Sequence, residues 1–357
     1  MRRSRFRASM LAIGLSVGVV AVSMSSAADA TAASGVRVVH YDSNSMAEYA
    51  RKWSNPYGLG EMAVSDTRAV SNGVFSLSAT PFKTAYDYSV FDHIKYLGVS
   101  NRTFAVPKNG TLAFSVDIKA ATPGAVSGHV VHGQYGPPGS YDPSRTDTYV
   151  QPTLEGQQAG VVMNMIDFCT GQLFDWFVSS HYVFPLIERL PTSVTGNINN
   201  PNCPGATNVG LDKAYTQIIQ QIPVTPGRAH TVTTAYTRLG HNSNVTYLLD
   251  GVPVATVDNV GVPLDRQGHP YSGIYPSLGA GEPLADQINS FSIGHGLFSL
   301  LDAFPFQYGC TPPTASGPGS CDPATAQYSV SIPLAQRAFG QGAVGSFSHF
   351  TAVTVGL

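Results

Sequence analysis

The stretch that decides the fold runs from His230 to Val257: H-T-V-T-T-A-Y-T-R-L-G-H-N-S-N-V-T-Y-L-L-D-G-V-P-V-A-T-V. Three short runs of β-branched and aromatic residues alternate with polar ones, and two turns separate them. The second turn is Asp250-Gly251. Such a dipeptide tolerates the positive φ angles of a tight hairpin, and a period of two puts alternate side chains on opposite faces of a sheet. The stretch predicts an antiparallel meander and, with it, an all-β fold.

Working outward, the same signature recurs. Leu112, Phe114, Val116 and Ile118 alternate with Ala113, Ser115, Asp117 and Lys119, the pattern of a half-buried strand. Val36 to Tyr41, Val74 to Ala79 (after Asn72-Gly73), Tyr328 to Ile332 and Phe347 to Val355 read as further strands. Gly160 to Ile166 and Leu173 to Val178 are apolar strands joined by Asp167-Phe168-Cys169-Thr170-Gly171, and Leu186 to Leu190 is another. Phe291 to Leu301, with Gly294 and Gly296 inside it, reads as a bulged strand. Lys213 to Val224 fits a helical stripe through Tyr215, Ile218, Ile219 and Ile222, but its β-branched content and Pro223 favour a strand. Met46 to Trp53 fits a short helix or a loop, and Thr122–Pro152 and Asp258–Asn289 read as long loops. With neither an internal repeat nor a break in composition, residues 36–357 are expected to form one domain, a two-sheet antiparallel β-sandwich.

Composition bounds the location and the partners. Only 12% of the 357 residues are charged, about half the usual share, while Gly (36) and Pro (25) are abundant. Arg2, Arg3, Arg5 and Arg7 precede an apolar run from Met10 to Val22 and an Ala28-Asp29-Ala30 cleavage pattern, so residues 1–30 read as a signal peptide and 31–35 as a linker. Removing that segment takes four arginines and Asp29 from 20 basic and 22 acidic residues, leaving 16 and 21. A mature chain with an acidic excess and no basic stripe argues against nucleic acid as a partner, and after cleavage no apolar run remains that would span a membrane. The expected location is extracellular. There, Cys169, Cys203, Cys310 and Cys321 are expected to form disulfides, with Cys169–Cys203 and Cys310–Cys321 the preferred pairing because each bond closes a Gly/Pro/Asn-rich loop.

Three elements carry a resemblance. Tyr41-Asp42 and Trp53 lead to Gly73-Val74-Phe75-Ser76-Leu77; His230-Thr231-Val232 leads through Tyr247-Leu248-Leu249 to Asp250-Gly251; and Phe350 to Val355 closes the chain. Together they resemble the concanavalin A-like lectin/glucanase superfamily, and the whole looks like a secreted bacterial family of unknown function with that fold. The resemblance implies a jelly roll. It implies no particular reaction, because the E-x-D-x-E triplet of the glucanases and the R-x-E-x-R strand of the alginate lyases are both absent. Gln267-Gly268-His269 matches a lyase Q-x-H by letter only, inside a Gly/Pro loop. Jelly rolls of this kind also suggest a structural calcium, for which Glu61, Asp250 and Asp302 are the candidate ligands. No other cofactor is implied, and no metal-ligand motif is present.

The densest chemical constellation is Asp167 to Leu190. Asp175 and Glu188 are the candidate acid and base. Trp176 and Tyr182 would stack on a sugar, and His181 and Arg189 would bind it. The competing structural reading pairs Asp175 with Arg189 across two strands and places Trp176 in the core. His295 and Asp302 form a second candidate binding cluster, and Tyr135, Tyr141 and Tyr149 with His129 and His132 a third. The expected function is recognition of a polysaccharide or cell-surface glycan on a concave sheet face. The alternatives are a polysaccharide hydrolase or lyase using the carboxylate pair, and a structural surface protein without a small ligand.

Overall fold

The computed structural model describes residues 35–357 apart from 55–66, 85–92, 136–139, 147–148, 192–202, 204–209, 211, 270–272, 276–278, 302–306, 309, 312–319, 322–326 and 329. The leader segment, residues 31–34 of the linker, Glu61 and Asp302 therefore lie outside the described residues. So do the side chains of 302–329 and those of Tyr135 and Tyr149.

The strands in chain order are β1 (Val36–His40), β2 (Trp53–Ser54), β3 (Thr67–Ser71), β4 (Val74–Ala79), β5 (Ile94–Ser100), β6 (Phe104–Ala105), β7 (Asn109–Ala121), β8 (Val130–Tyr135) and β9 (Tyr149–Pro152). There follow β10 (Gly160–Asp167), β11 (Gln172–Val178), β12 (Tyr182–Arg189), β13 (Tyr215–Ile218), β14 (Ile222–Pro223), β15 (Ala229–Leu239), β16 (Asn242–Leu249) and β17 (Val252–Asp258). The last are β18 (Gly273–Tyr275), β19 (Ser290–Phe298), β20 (Gln307–Tyr308), β21 (Cys310–Thr311), β22 (Ser320–Cys321), β23 (Gln327–Tyr328), β24 (Val330–Ser331) and β25 (Ala343–Gly356).

Two large antiparallel sheets make a jelly-roll sandwich. An eight-stranded sheet runs β17-β16-β15-β7-β25-β4-β3, with β1 on β25. A ten-stranded sheet runs β18-β13-β12-β11-β10-β19-β5-β2, with β14 on β12 and β6 on β19. The meander His230–Val257 is β15-β16-β17, as its alternation dictates. Its second turn works through Asp250 at φ 51° and Gly251 at φ 80°, the two left-handed residues a type I′ hairpin needs. Asp250 also fastens the turn to β15, accepting from the Thr231 amide (2.9 Å) and pairing with His230 Nδ1 (2.9 Å), so its carboxylate is engaged in the framework.

Between the sheets lies the main core, with Leu112, Phe114, Val232 and Tyr247 on one side facing Met163, Phe174, Trp176 and Ile293 on the other. The ten-stranded sheet is covered on its far face as well. There Val162, Phe177 and Phe184 meet Val131 and Val330 of a small third sheet, β24-β8-β9, and Ile332 just after it. This double cover explains why every residue of β10 is buried, while β7 and β15 alternate.

The third sheet corrects one expectation. Thr122–Pro152 is not all loop: it contributes β8 and β9, short strands whose Gly-interrupted pattern hid their period. Asp258–Asn289 likewise holds a 3-10 turn at Leu264–Gln267 and β18. Lys213–Val224 forms the strands β13 and β14. Met46–Lys52 is a helix, capped by Ser45, which accepts from the Glu48 amide at 3.1 Å. No helix among the described residues is long and apolar enough to cross a membrane. Cys169 and Cys203 are joined in a disulfide. Cys310 and Cys321 sit opposite each other in the β21–β22 register, but their side chains lie outside the described residues.

Candidate functional site

Register sorts the residues of the Asp167–Leu190 region onto two faces. On β11 and β12, Asp175 is opposite Leu186 and Leu173 is opposite Glu188, so both carboxylates project from the outer face of the ten-stranded sheet, diagonal to each other. Trp176 and Arg189 are each one residue away and project from the opposite face. Following the pairing across the sheet, one row of the outer face reads Val99, Gly294, Asn164, Asp175, Leu186, Ile218. The next row reads Ser292, Ile166, Leu173, Glu188, Thr216. Beyond the first row, on its other side, Phe177 and Phe184 stack against each other at 4.9 Å beneath the third sheet.

The face is largely apolar: Val99, Ile166, Leu186 and Ile218 share a hydrophobic cluster with Phe177 and Phe184, and the polar residues Asn164, Asp175, Ser292, Glu188 and Thr216 are set among them. Asn164 Nδ2 donates to Asp175 Oδ1 at 2.8 Å. Asp175 is 2% exposed. Its carboxyl is pushed well above the usual carboxylate range, first by burial and then by the charge of Glu188, against the pull of the Asn164 hydrogen bond. Three further polar atoms here are buried without a hydrogen-bond partner among the described residues: Asn164 Oδ1, Thr216 Oγ1 and Ser292 Oγ. Gly294 makes room for Asn164, since a Cβ at that position would lie 3.1 Å from the asparagine Cβ and Oδ1. Leu173 and Glu188 are partly exposed, so the face opens to solvent at their end. The upward push favours the protonated carboxyl, which can donate, and the amide oxygen and hydroxyls can accept. The set matches a ligand rich in hydroxyl groups.

The other sequence candidates fall elsewhere. Trp176 is fully buried in the sandwich, its Nε1 donating to the Thr233 carbonyl at 3.1 Å and its ring edge-on to Tyr247. With no ring face open, it cannot stack on a sugar. Arg189 is buried and bonds Glu282 Oε1 at 2.6 Å, beside Lys213 at 2.8 Å from the other oxygen, so it neither pairs with Asp175 nor shares its face. His181 is exposed and pairs with Glu155 at 3.0 Å. Tyr182 is half-buried and shares the outer face with Glu188, at the opposite end of β12. His295 lies between the sheets in an aromatic nest, its Nε2 2.7 Å from the Tyr49 hydroxyl, which meets the Tyr96 hydroxyl at 2.7 Å. Burial lowers its pKa to about 3, so it is neutral, and it projects into the sandwich rather than from the outer face. Asp302 lies outside the described residues. No cluster of three metal-ligating side chains occurs among the described residues.

Sequence reasoning missed Asn164, Thr216 and Ser292. One signal was available: Asn164 is the lone polar side chain within the apolar run Val161–Ile166.

A model described as a family of unknown function (DUF6081) matches residues 58–355. No curated protein matches the chain. Among solved structures it is similar to an endo-1,3-beta-glucanase from Streptomyces sioyaensis, at 13% identity and TM-score 0.38, covering 92% of this chain and 99% of that one. It is also similar to the exolytic PL7 alginate lyase AlyA5 from Zobellia galactanivorans (10%, TM-score 0.35, covering 83% and 89%). The lectin UEA-II complexed with galactose is a further likeness (9%, TM-score 0.26, covering 90% and 99%). At these scores the likenesses bear on neither substrate nor reaction here.

Proposed function

We propose that this chain, which belongs to the DUF6081 family of unknown function, is an exported protein that recognises a polysaccharide through the polar residues of its ten-stranded sheet's outer face. The observation that carries the reading is the buried group Asn164, Asp175, Thr216 and Ser292, three of whose members keep a polar atom unpaired among the described residues. A sheet face built only for packing would be apolar, because each buried unmatched polar atom costs about 1–3 kcal/mol. The Cys169–Cys203 disulfide supports an oxidising, extracellular setting.

A second reading, polysaccharide cleavage, draws support from one specific feature. Burial and the Glu188 charge push the Asp175 carboxyl upward on a face it shares with Glu188, the direction that favours a general acid beside a second carboxylate. A glycan array combined with a reducing-end assay on the mature chain tests both. Retention without release of reducing ends supports recognition. Release abolished by both Asp175→Asn and Glu188→Gln supports cleavage. A chain that neither retains nor releases any polysaccharide is a structural surface protein, and both readings fail.

A further inference from the structure

We infer that the outer face of the eight-stranded sheet is the contact surface for a second copy of this chain, stacked sheet against sheet. Register again lays the face out. One row reads Val38, Val353, Ala113, Ala235, Thr246, Thr256. The row beside it passes from Val36 and Val355 through Thr111 and Thr237 to Asn244. A third, on the other side, contains Thr351, Ser115 and Thr233. Small side chains give the tract low relief, which lets another sheet approach to about 10 Å.

Three features favour a copy over other occupants. First, the rows hold no Lys, Arg or Glu. Charge gathers at the margin instead, in the Asp117–His349 pair (2.8 Å) at one end and Asp258 at a corner, an uncharged centre inside a polar rim. Second, the hydroxyls already satisfy one another: Thr111 with Thr237 at 2.8 Å, Thr233 with Ser115 at 2.9 Å, Thr246 with Thr256 at 3.1 Å. Covering them therefore leaves few orphaned groups, whereas a glycan would need donors and acceptors left open. Third, Val36 and Val38 are 70% and 50% exposed, an apolar tract continuous with Val353 and Val355. Six strands about 4.8 Å apart and three rows about 6.8 Å apart span about 600 Å², so a stacked pair buries about 1,200 Å² in all, the lower bound for a stable protein interface. An isologous contact about a two-fold axis places Ala113 and Ala235 at its centre.

Analytical ultracentrifugation of the whole mature chain tests this. The expected result is a dimer whose dissociation constant rises on the order of a hundredfold in Ala235→Glu, because like charges then face each other across the contact. Should that variant fail to fold, Thr237→Lys makes the same test at a position already partly exposed. A chain that stays monomeric at every concentration overturns the inference. So does a dimer indifferent to both substitutions. Loss of binding to insoluble polysaccharide in a monomeric Ala235→Glu protein would assign the face to a glycan instead.

Discussion

On the outer face of the eight-stranded sheet Thr111 meets Thr237 and Ser115 meets Thr233, hydroxyl to hydroxyl, in partly exposed rows. On the outer face of the ten-stranded sheet Asn164, Thr216 and Ser292 are buried, and each keeps a polar atom unmatched among the described residues. The inversion is informative. Groups that water could satisfy are satisfied by one another, while groups hidden from water are left short. For a fold stable by only about 5–15 kcal/mol, three such deficits are a substantial fraction of the total. Retaining them is understandable where a ligand completes the pairing, which is the physical reason to seek chemistry on one face and association on the other.

The largest expected effect concerns the layer both faces share. Burial holds His295 neutral, with its pKa lowered from 6.5 to about 3. The unfolded chain takes up a proton near 6.5 that the folded chain refuses. The stability this residue contributes is complete above pH 6.5 and is lost as pH falls toward 3, amounting to about 5 kcal/mol over the window. Asp167 acts in the opposite sense. Burial raises it from 3.8 to about 6, so its contribution is present below 3.8 and is lost as pH rises toward 6. Urea denaturation of the wild type and of His295→Gln between pH 7 and 4 separates the two. The variant is expected to lose the steep acid limb, and an unchanged limb would refute the assignment to His295.

Next in size is the buried Asn164–Asp175 pair. Replacing Asn164 and Asp175 together by Leu removes a buried hydrogen-bonded pair and the unmatched Asn164 oxygen. At pH 7 this should stabilise the fold by about 1–3 kcal/mol while abolishing polysaccharide retention. Denaturation midpoints and an affinity column measure the two effects side by side. A fall in stability would make the pair structural and remove the contrast between the faces.

How far this was legible in the chain depended on period. The meander at His230–Val257 and the alternation of Thr111–Ala120 announced their strands, since one covered face leaves a mark on every second residue. The continuous run Gly160–Ile166 left no such mark, because both of its faces are covered. The site suffered from the same geometry. Asp175 and Trp176 are neighbours in sequence and so point to opposite faces. A constellation read along the chain therefore mixed the carboxylates of the outer face with Trp176 and Arg189, which belong to the other side. What placed Asn164 beside Asp175, and Thr216 beside Glu188, was pairing between strands, which only register reveals.

The smallest expected effects give the sharpest comparison, because one substitution is made on both faces. Thr216→Val on the ten-stranded sheet removes a buried hydroxyl that has no partner among the described residues and substitutes a side chain of nearly the same shape, so it should stabilise the fold by about 1 kcal/mol. Thr111→Val with Thr237→Val on the eight-stranded sheet removes both members of a matched pair at a partly exposed site. Neither an orphan nor a cavity results, and the change should stay within about 0.5 kcal/mol. Equal effects from the two experiments would mean that Thr216 Oγ1 is satisfied in solution. The ten-stranded face would then lose part of its claim to be waiting for a ligand. A gain confined to Thr216→Val, accompanied by weaker polysaccharide retention, would locate the cost of binding in that hydroxyl and leave the paired rows to association alone.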